Sequence, residues 1–246
     1  MLQEQVDWYE SWFGSPYYHI LYQDRDLEEA RNFVEKLVDY LEPLPGSKMA
    51  DIACGEGRYS RQLALRGYDV TGLDLSYESI QNAQKHESEH LHFLVHDMRF
   101  PFYINYFDYA FNFFTSFGYF EKDRDHEMAA KSFVSCLKKE GILVIDYLNK
   151  EKALATIKPS FQINKGGIEF NIRKKFEKNH FLKEIYFKDE NSVERKFTES
   201  VAAFTLGDFI AMFKKAGASL VTTFGNYQLA PYDAQNSPRM IMVFKK

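Results

Sequence analysis

The chain has 246 residues, long enough to bury a full core, and suits one α/β domain with an elaboration better than two independent domains. Hydrophobic residues make up 45% and charged residues 27%, a globular balance; the aromatic share of 17%, with 23 Phe and 16 Tyr, supplies a Phe-rich core and rings able to line a ligand cavity. A formal net charge of −4 excludes a global basic field for nucleic acid or anionic lipid, and the run Arg173, Lys174, Lys175 sits among acidic residues as the solvated face of a strand.

In chain order, the first forty-odd residues read as helical. MLQEQVDWYESWF lacks the basic region and apolar run of a signal peptide. SPYYHILYQDRD is aromatic and irregular, more like a segment that packs over something than a regular helix. Leu27, Ala30, Phe33, Val34, Leu37, Val38 and Leu41 then recur at helical spacing until Pro43 and Pro45. From Lys48 strands alternate with helices. MADIAC, YDVTGLDLS, LHFLVHDM, FDYAFNFFTSF and ILVIDYLN are strands. RYSRQLALRG, YESIQNAQKH and DHEMAAKSFVSCLKK are helices, with His126 on the solvent side of the last. This rhythm predicts a parallel sheet with helices on both faces.

The rhythm breaks over residues 160–204. Ile168, Phe170 and Ile172, then Phe181, Ile185 and Phe187, alternate with polar neighbours between turn signals at KGG, EKN and DENS, which predicts an antiparallel meander. A helix follows, capped by Thr205 and apolar at Leu206, Phe209, Ile210 and Phe213. The strands SLVTTFGNY and RMIMVFKK close the chain as a hairpin. The expected division is an N-terminal helical lead or lid over 1–47, a mostly parallel Rossmann-like domain over 48–158 and 205–246, and an inserted antiparallel β cap over 159–204.

Cys54 and Cys136 lie far apart in expected core elements, so neither a disulfide framework nor a Cys-based zinc site is expected, and no other metal site is. No stretch approaches the ~18 apolar residues of a membrane span. A soluble protein of the cytoplasm, with no nucleic-acid or membrane partner, is the expectation.

The chemistry concentrates in Asp51-Ile52-Ala53-Cys54-Gly55-Glu56-Gly57-Arg58-Tyr59. A strand running through a Gly-rich turn into a helix brings backbone close to a ligand, and Gly55 and Gly57 suit positions where a Cβ would clash or φ must be positive. Asp74 closes the second strand, where a carboxylate can accept both hydroxyls of a ribose; its alternative role is at the start of the following helix. Asp97 closes the third. Three acids at the ends of three successive strands share the carboxyl edge at which open sheets bind ligands.

Gly55-x-Gly57-x-x-Ser60 nearly spells a dinucleotide fingerprint, so an NAD-dependent oxidoreductase is an alternative. Against it stand Ser60 for the third glycine, Asp51 before the turn, and a terminal hairpin in place of another βαβ unit. Together these features resemble the class I S-adenosylmethionine-dependent methyltransferases over roughly residues 48–150 and 205–246. The resemblance implies S-adenosylmethionine as cofactor. It implies Asp51 near the cofactor's amino group, with the backbone of Ala53, Gly55 and Gly57, and Tyr59 beside them, around the methionine part. It also implies Asp74 on the ribose, Leu75 against the adenine, Asp97 and Met98 at the adenine edge, and the segment Asn112–Ser116, with Phe113, beneath the sulfonium. Ala53 departs from the glycine many members carry there.

The aromatic lead and the insertion resemble small-molecule N-methyltransferases. In those, the lead closes over the cofactor, and the insertion covers the active site or supports a homodimer. This implies methyl transfer to a small molecule, at an amine nitrogen. The amino-methylating DNA signature is absent, since the corresponding stretch reads Asn112-Phe113-Phe114-Thr115. A non-catalytic cofactor-binding protein carries the same motifs and stays open as an alternative. Candidate catalytic residues are Tyr18, His19 and Tyr119, with Tyr147 a further base. Candidate substrate contacts are Tyr119, Asn149, Tyr232 and Arg239, although a strand-edge charge is the other reading of Arg239.

Overall fold

The computed structural model describes residues 7–24 and 27–246. Its elements in chain order are α1 (Trp8–Phe13), α2 (Pro16–Leu21), α3 (Leu27–Leu41), β1 (Lys48–Ile52), α4 (Arg58–Ala64), β2 (Asp69–Asp74), α5 (Tyr77–Gln84), β3 (Leu91–Val95), β4 (Phe107–Asn112), α6 (Asp123–Cys136) and β5 (Leu137–Leu148). After them come α7 (Lys150–Thr156), β6 (Ser160–Lys165), β7 (Ile168–Glu177), β8 (His180–Lys188), β9 (Glu194–Ala202), α8 (Leu206–Ala216), β10 (Ser219–Phe224) and β11 (Arg239–Lys245). They form two compact units. The larger contains residues 27–153 and 204–246, and the smaller contains 7–24 and 154–203. The lead expected as one segment over 1–47 is thus shared, with α1 and α2 in the smaller unit and α3 in the larger.

In the larger unit the sheet order is β10-β11-β5-β4-β1-β2-β3, parallel except for β11, which runs antiparallel to both β5 and β10 in the terminal hairpin. Strand side chains alternate between two cores. Met49, Val70, Phe93, Phe111, Val144, Ile241 and Val243 face α3, α4 and α5, whose Phe33, Leu37, Leu63 and Ile80 are buried against them. On the other face Phe117, Phe133, Phe209, Phe213 and Phe244 form a chain of ring contacts between α6 and α8. Each such side chain, buried completely, contributes on the order of 1.5–3 kcal/mol. Thr205 caps α8 in a reciprocal capping box with Asp208, and Gly217 ends the helix in the left-handed conformation.

The smaller unit is the four-stranded antiparallel sheet β6-β7-β8-β9. Gly166 and Gly167, then Lys178 and Asn179, all have positive φ, as tight hairpin turns require. Phe170, Ile172, Ile185 and Phe187 on one sheet face bury against Trp12 and Leu21. Trp12 Nε1 and Tyr22 Oη donate to Glu199 at 2.8 and 2.7 Å. This packing explains why SPYYHILYQDRD, expected to be irregular, contains a helix. Ser15 caps α2, Pro16 starts it, and its six residues are too few to show a helical period. The helix expected over 125–139 ends at Cys136 because Leu137 is extended and already pairs with Phe107. No helix among the described residues is long and apolar enough to cross a membrane.

Candidate active site

From β1 the strand order runs outward through β2 to β3, and from β4 through β5 in the opposite direction. The carboxyl ends of β1 and β4 therefore border the crevice where open α/β sheets bind ligands. Asn112, fully buried at the end of β4, donates through Nδ2 to the Ile52 carbonyl at 2.8 Å and ties the two strand ends together; its Oδ1 is buried without a hydrogen-bond partner.

Between β1 and α4 the chain turns through three left-handed residues, Ala53 (φ 59°), Gly55 (57°) and Gly57 (74°). The two glycines do different work. A Cβ on Gly57 would lie 2.5 Å from the Phe93 ring, whereas nothing lies within 4 Å of a Cβ on Gly55. Gly57 is a packing requirement, whereas Gly55 has open space on its Cβ side. Asp74 holds the turn from the next strand, since its Oδ2 accepts from Gly55 N and its Oδ1 from Ser76 N, both at 2.8 Å.

Asp51, at the end of β1, is 1% exposed. Its Oδ2 accepts from Ser60 Oγ at 2.6 Å, and its Oδ1 is buried with no hydrogen-bond partner. Burial pushes its carboxyl up to about 7; Asp74 adds to the rise, while the Ser60 bonds and the Arg58 charge oppose it. The Cys54 thiol is pushed up by burial and by the same two carboxylates, so it is not a thiolate nucleophile at neutral pH.

Leu75, Asp97 and Met98 are half-buried near the ends of β2 and β3. Asp97 is engaged by Arg99, with Nε 2.8 Å and Nη2 2.6 Å from Oδ2 and the Arg99 backbone N 2.9 Å from Oδ1. Tyr59 and Phe113 stack at 4.3 Å, and both belong to the core beneath α3.

The end of β4 is strained. Phe114 and Thr115 are consecutive non-glycine residues at φ 59° and 61°, a conformation costing about 1–2 kcal/mol per residue. Asp146, fully buried in β5, holds them. Its Oδ2 accepts from Phe114 N at 2.8 Å and from Tyr227 Oη at 3.0 Å, and its carbonyl accepts from Thr115 N at 2.9 Å. Arg239 completes the clamp, with Nε 2.7 Å from Asp146 Oδ1 and Nη2 2.9 Å from Thr115 Oγ1.

The remaining sequence candidates divide. Arg239 is committed to Asp146 and Thr115. Asn149 is buried, its Nδ2 donating to the Ala234 and Ser237 carbonyls at 2.9 and 2.8 Å, and its Oδ1 accepting from Tyr232 Oη at 3.2 Å. Two candidate substrate contacts are therefore bonded to each other, pinning the loop before β11. Tyr119 is half-buried in the turn after β4, and Tyr147 is fully buried. Tyr18 and His19 lie in α2 of the smaller unit, Tyr18 packed against Trp12, Phe13 and Tyr22. His126, expected at the solvent, is 2% exposed among Phe117, Phe120 and Phe204. The correction arises because the turn after β4 and the entry to α8 cover that side of α6.

Two residues of the site escaped sequence reading, Asp146 and Tyr227, and Ser60 entered it only as a departure from the dinucleotide fingerprint. Asp146 left a signal, a lone carboxylate inside the apolar run ILVIDYL. Tyr227 left none, because its partner Asp146 lies 81 residues away.

Residues 49–141 match the family model described as a methyltransferase domain. The chain is 38% identical over 105 residues to the putative methyltransferase YqeM of Bacillus subtilis, a match covering 40% of this chain and 41% of that protein. The match thus spans about two fifths of the relative's length. Among solved structures, a S-adenosylmethionine-dependent methyltransferase from Clostridium acetobutylicum superposes with a TM-score of 0.77 at 17% identity, covering 93% of this chain and 95% of that one. CalS10, an amino pentose methyltransferase from Micromonospora echinaspora, gives 0.70 at 17% identity over 94% and 97%. Residues 49–141 thus resemble a methyltransferase domain, and the fold is the one shared with these solved methyltransferases.

Proposed function

We propose that this protein binds S-adenosylmethionine at the carboxyl edge of β1, β2 and β4 and transfers its methyl group to a small molecule, at an amine nitrogen. The observation that carries the reading is the Asp51–Gly57 turn, which joins an open left-handed glycine, a carboxylate at the end of β2 and a buried carboxylate oxygen lacking a partner. The residues fit the cofactor: Asp51 meets its ammonium, the backbone from Ala53 to Gly57 its methionine chain, and Asp74 its ribose, with Leu75, Asp97 and Met98 toward the adenine. Bound there, the cofactor supplies a methyl group on a positively charged sulfur, ready for in-line displacement.

The chain's own contribution is positioning. The clamped turn Asn112–Thr115 presents fixed backbone at the end of β4, and holding reactants aligned lowers a barrier by roughly 7–11 kcal/mol in favourable cases. An amine that arrives deprotonated needs no strong base. Tyr18, His19 and Tyr119 are the residues proposed to handle the acceptor. The amine reading is supported by the likeness in fold to an amino pentose methyltransferase. The inserted sheet, whose β6 and β9 are edge strands, is the segment we assign to a homodimer, and unpaired Cys54 and Cys136 accord with a cytoplasmic setting.

The test is calorimetric titration with S-adenosylhomocysteine, followed by turnover of S-adenosylmethionine against a library of amines, phenols and acids. Turnover with amines supports the reading. Tight binding without turnover points to a non-catalytic cofactor-binding protein, and no binding overturns the proposal.

A further inference from the structure

The turn at the end of β4 keeps a bulky side chain where a small one would fit the backbone at lower cost. Phe114 stands at φ 59°, a left-handed conformation that glycine and asparagine adopt readily and that is an outlier for an aromatic residue. Burial does not explain the ring. Its neighbours Phe113 and Phe117 are 3% and 0% exposed, whereas Phe114 is 37% exposed. The guanidinium of Arg58, at the start of α4, lies 5.4 Å from the ring centroid, and that of Arg239, at the start of β11, lies 5.9 Å from it. These two contacts fix the ring at the carboxyl edge, beside both the turn after β1 and the first residue of the last strand. Backbone strain retained at an exposed ring marks a functional position. The polar groups of the same turn are already engaged. Asp146 takes the backbone N–H groups of Phe114 and Thr115, and Thr115 Oγ1 accepts from Arg239 Nη2 at 2.9 Å. Ser116 Oγ donates to the Phe113 carbonyl at 2.8 Å, and Asn112 Nδ2 donates to the Ile52 carbonyl. What the turn offers to a second ligand is ring surface.

Resting on the reading of this protein as an amine methyltransferase, we propose that Phe114 is a specificity-determining residue and that the methyl acceptor is an amine carried on a flat aromatic ring, which packs against it. Two rings in offset or edge-to-face contact attract each other beyond the area they bury. The guanidinium groups beside Phe114 suit an electron-rich acceptor ring and oppose an acceptor with a permanent positive charge. An amine as small as glycine or ethanolamine has no surface with which to cover the ring. An amino sugar can lay a C–H face on it, but its hydroxyls need partners that this turn, with its polar side chains engaged, does not supply.

The experiment follows formation of S-adenosylhomocysteine by the full chain from S-adenosylmethionine with benzylamine, tyramine, glycine, ethanolamine or glucosamine as acceptor. The expected result is a kcat/KM roughly tenfold or more higher for benzylamine and tyramine than for the other three. Phe114→Leu removes the ring, keeps apolar bulk and should lower that preference by roughly tenfold, whereas Phe114→Tyr should retain it. Both variants should bind S-adenosylhomocysteine within about threefold of wild type, because the ring meets the acceptor and not the cofactor. Phe114→Asn, whose backbone tolerates the left-handed turn, takes the place of Phe114→Leu if that variant does not fold. A wild-type preference for glycine, ethanolamine or glucosamine, or an aromatic preference untouched in Phe114→Leu, overturns the inference while the amine methyltransferase reading stands. Weakened S-adenosylhomocysteine binding in Phe114→Leu with an unchanged acceptor ratio assigns the ring to the cofactor and also overturns it. Binding of S-adenosylhomocysteine by the wild type without turnover of any amine overturns this inference together with the amine reading, and no binding overturns the cofactor reading as well.

Discussion

Arg239 Nε lies 2.7 Å from Asp146 Oδ1, and the pair joins the last strand of the chain to the strand beside the site. Through it, two left-handed residues, Phe114 and Thr115, are held at the end of β4. Asp146 is fully buried, so removing it leaves the guanidinium without its counter-ion. Asp146→Ala is expected to cost about 3–5 kcal/mol in urea unfolding. Arg239→Lys keeps the charge but loses the planar fork, and should cost about 1–2 kcal/mol. Equal stability of Asp146→Ala and wild type would show that the turn is held by something else.

Asp74 carries a structural duty that its sequence position did not reveal. It ties Gly55 to the start of α5 through two backbone bonds. Asp74→Ala is therefore expected to lose about 1–2 kcal/mol of stability as well as the ribose contact. Titration with S-adenosylhomocysteine should show affinity weakened by roughly a hundredfold, about 2.7 kcal/mol. Unchanged affinity would remove Asp74 from the cofactor site.

The two turn glycines should separate folding from binding. Gly57→Ala drives a methyl into Phe93 and strains a positive φ, so a loss of about 2–4 kcal/mol is expected in the melting curve. Gly55→Ala meets no neighbour and bears only the conformational cost, about 1 kcal/mol, yet should weaken cofactor binding at least tenfold. Normal binding by Gly55→Ala would mean that the ligand does not approach this backbone.

Stability should also carry a signature of Asp51. Its carboxyl, raised to about 7 in the folded chain, holds a proton that the unfolded chain releases near 4. The stabilising contribution is present below the unfolded value and is lost as pH rises toward 7. The expected change is on the order of 4 kcal/mol, read as the difference in pH dependence between wild type and Asp51→Asn. Parallel pH profiles for the two proteins would show that Asp51 is already ionised when folded.

Acceptor handling can be examined apart from the cofactor. Tyr18→Phe, His19→Ala and Tyr119→Phe should leave S-adenosylhomocysteine affinity within about twofold while lowering turnover with an active amine by roughly tenfold or more. A variant with unchanged turnover drops out of the set.

Much of the larger unit was legible because strand and helix periods act locally. The runs MADIAC, YDVTGLDLS, FDYAFNFFTSF and ILVIDYLN announced the strands, and Thr205 announced the start of a helix. The meander was legible from Phe170, Ile172, Ile185 and Phe187 for the same reason. Short helices and one-sided burial were not. α2 has no length over which to show a period, and His126 is covered by Phe204, which the chain reaches only after the inserted sheet.

The sequence by itself determined which edge of the sheet gathers the candidate residues. Asp51, Gly55, Gly57 and Asp74 fall at strand ends, and a strand followed by a helix sends those ends to one side of a parallel sheet. Only the tertiary structure decided which polar groups at that edge are already spent. Asp97 is taken by Arg99, Asn149 by the loop of Tyr232, and Arg239 by Asp146, while Asp51 Oδ1 and Asn112 Oδ1 have no partner. The physical reason is that a hydrogen bond needs its partners within about 3 Å, whatever their separation along the chain. Asp146 and Arg239 stand 93 residues apart, and no local pattern brings them together.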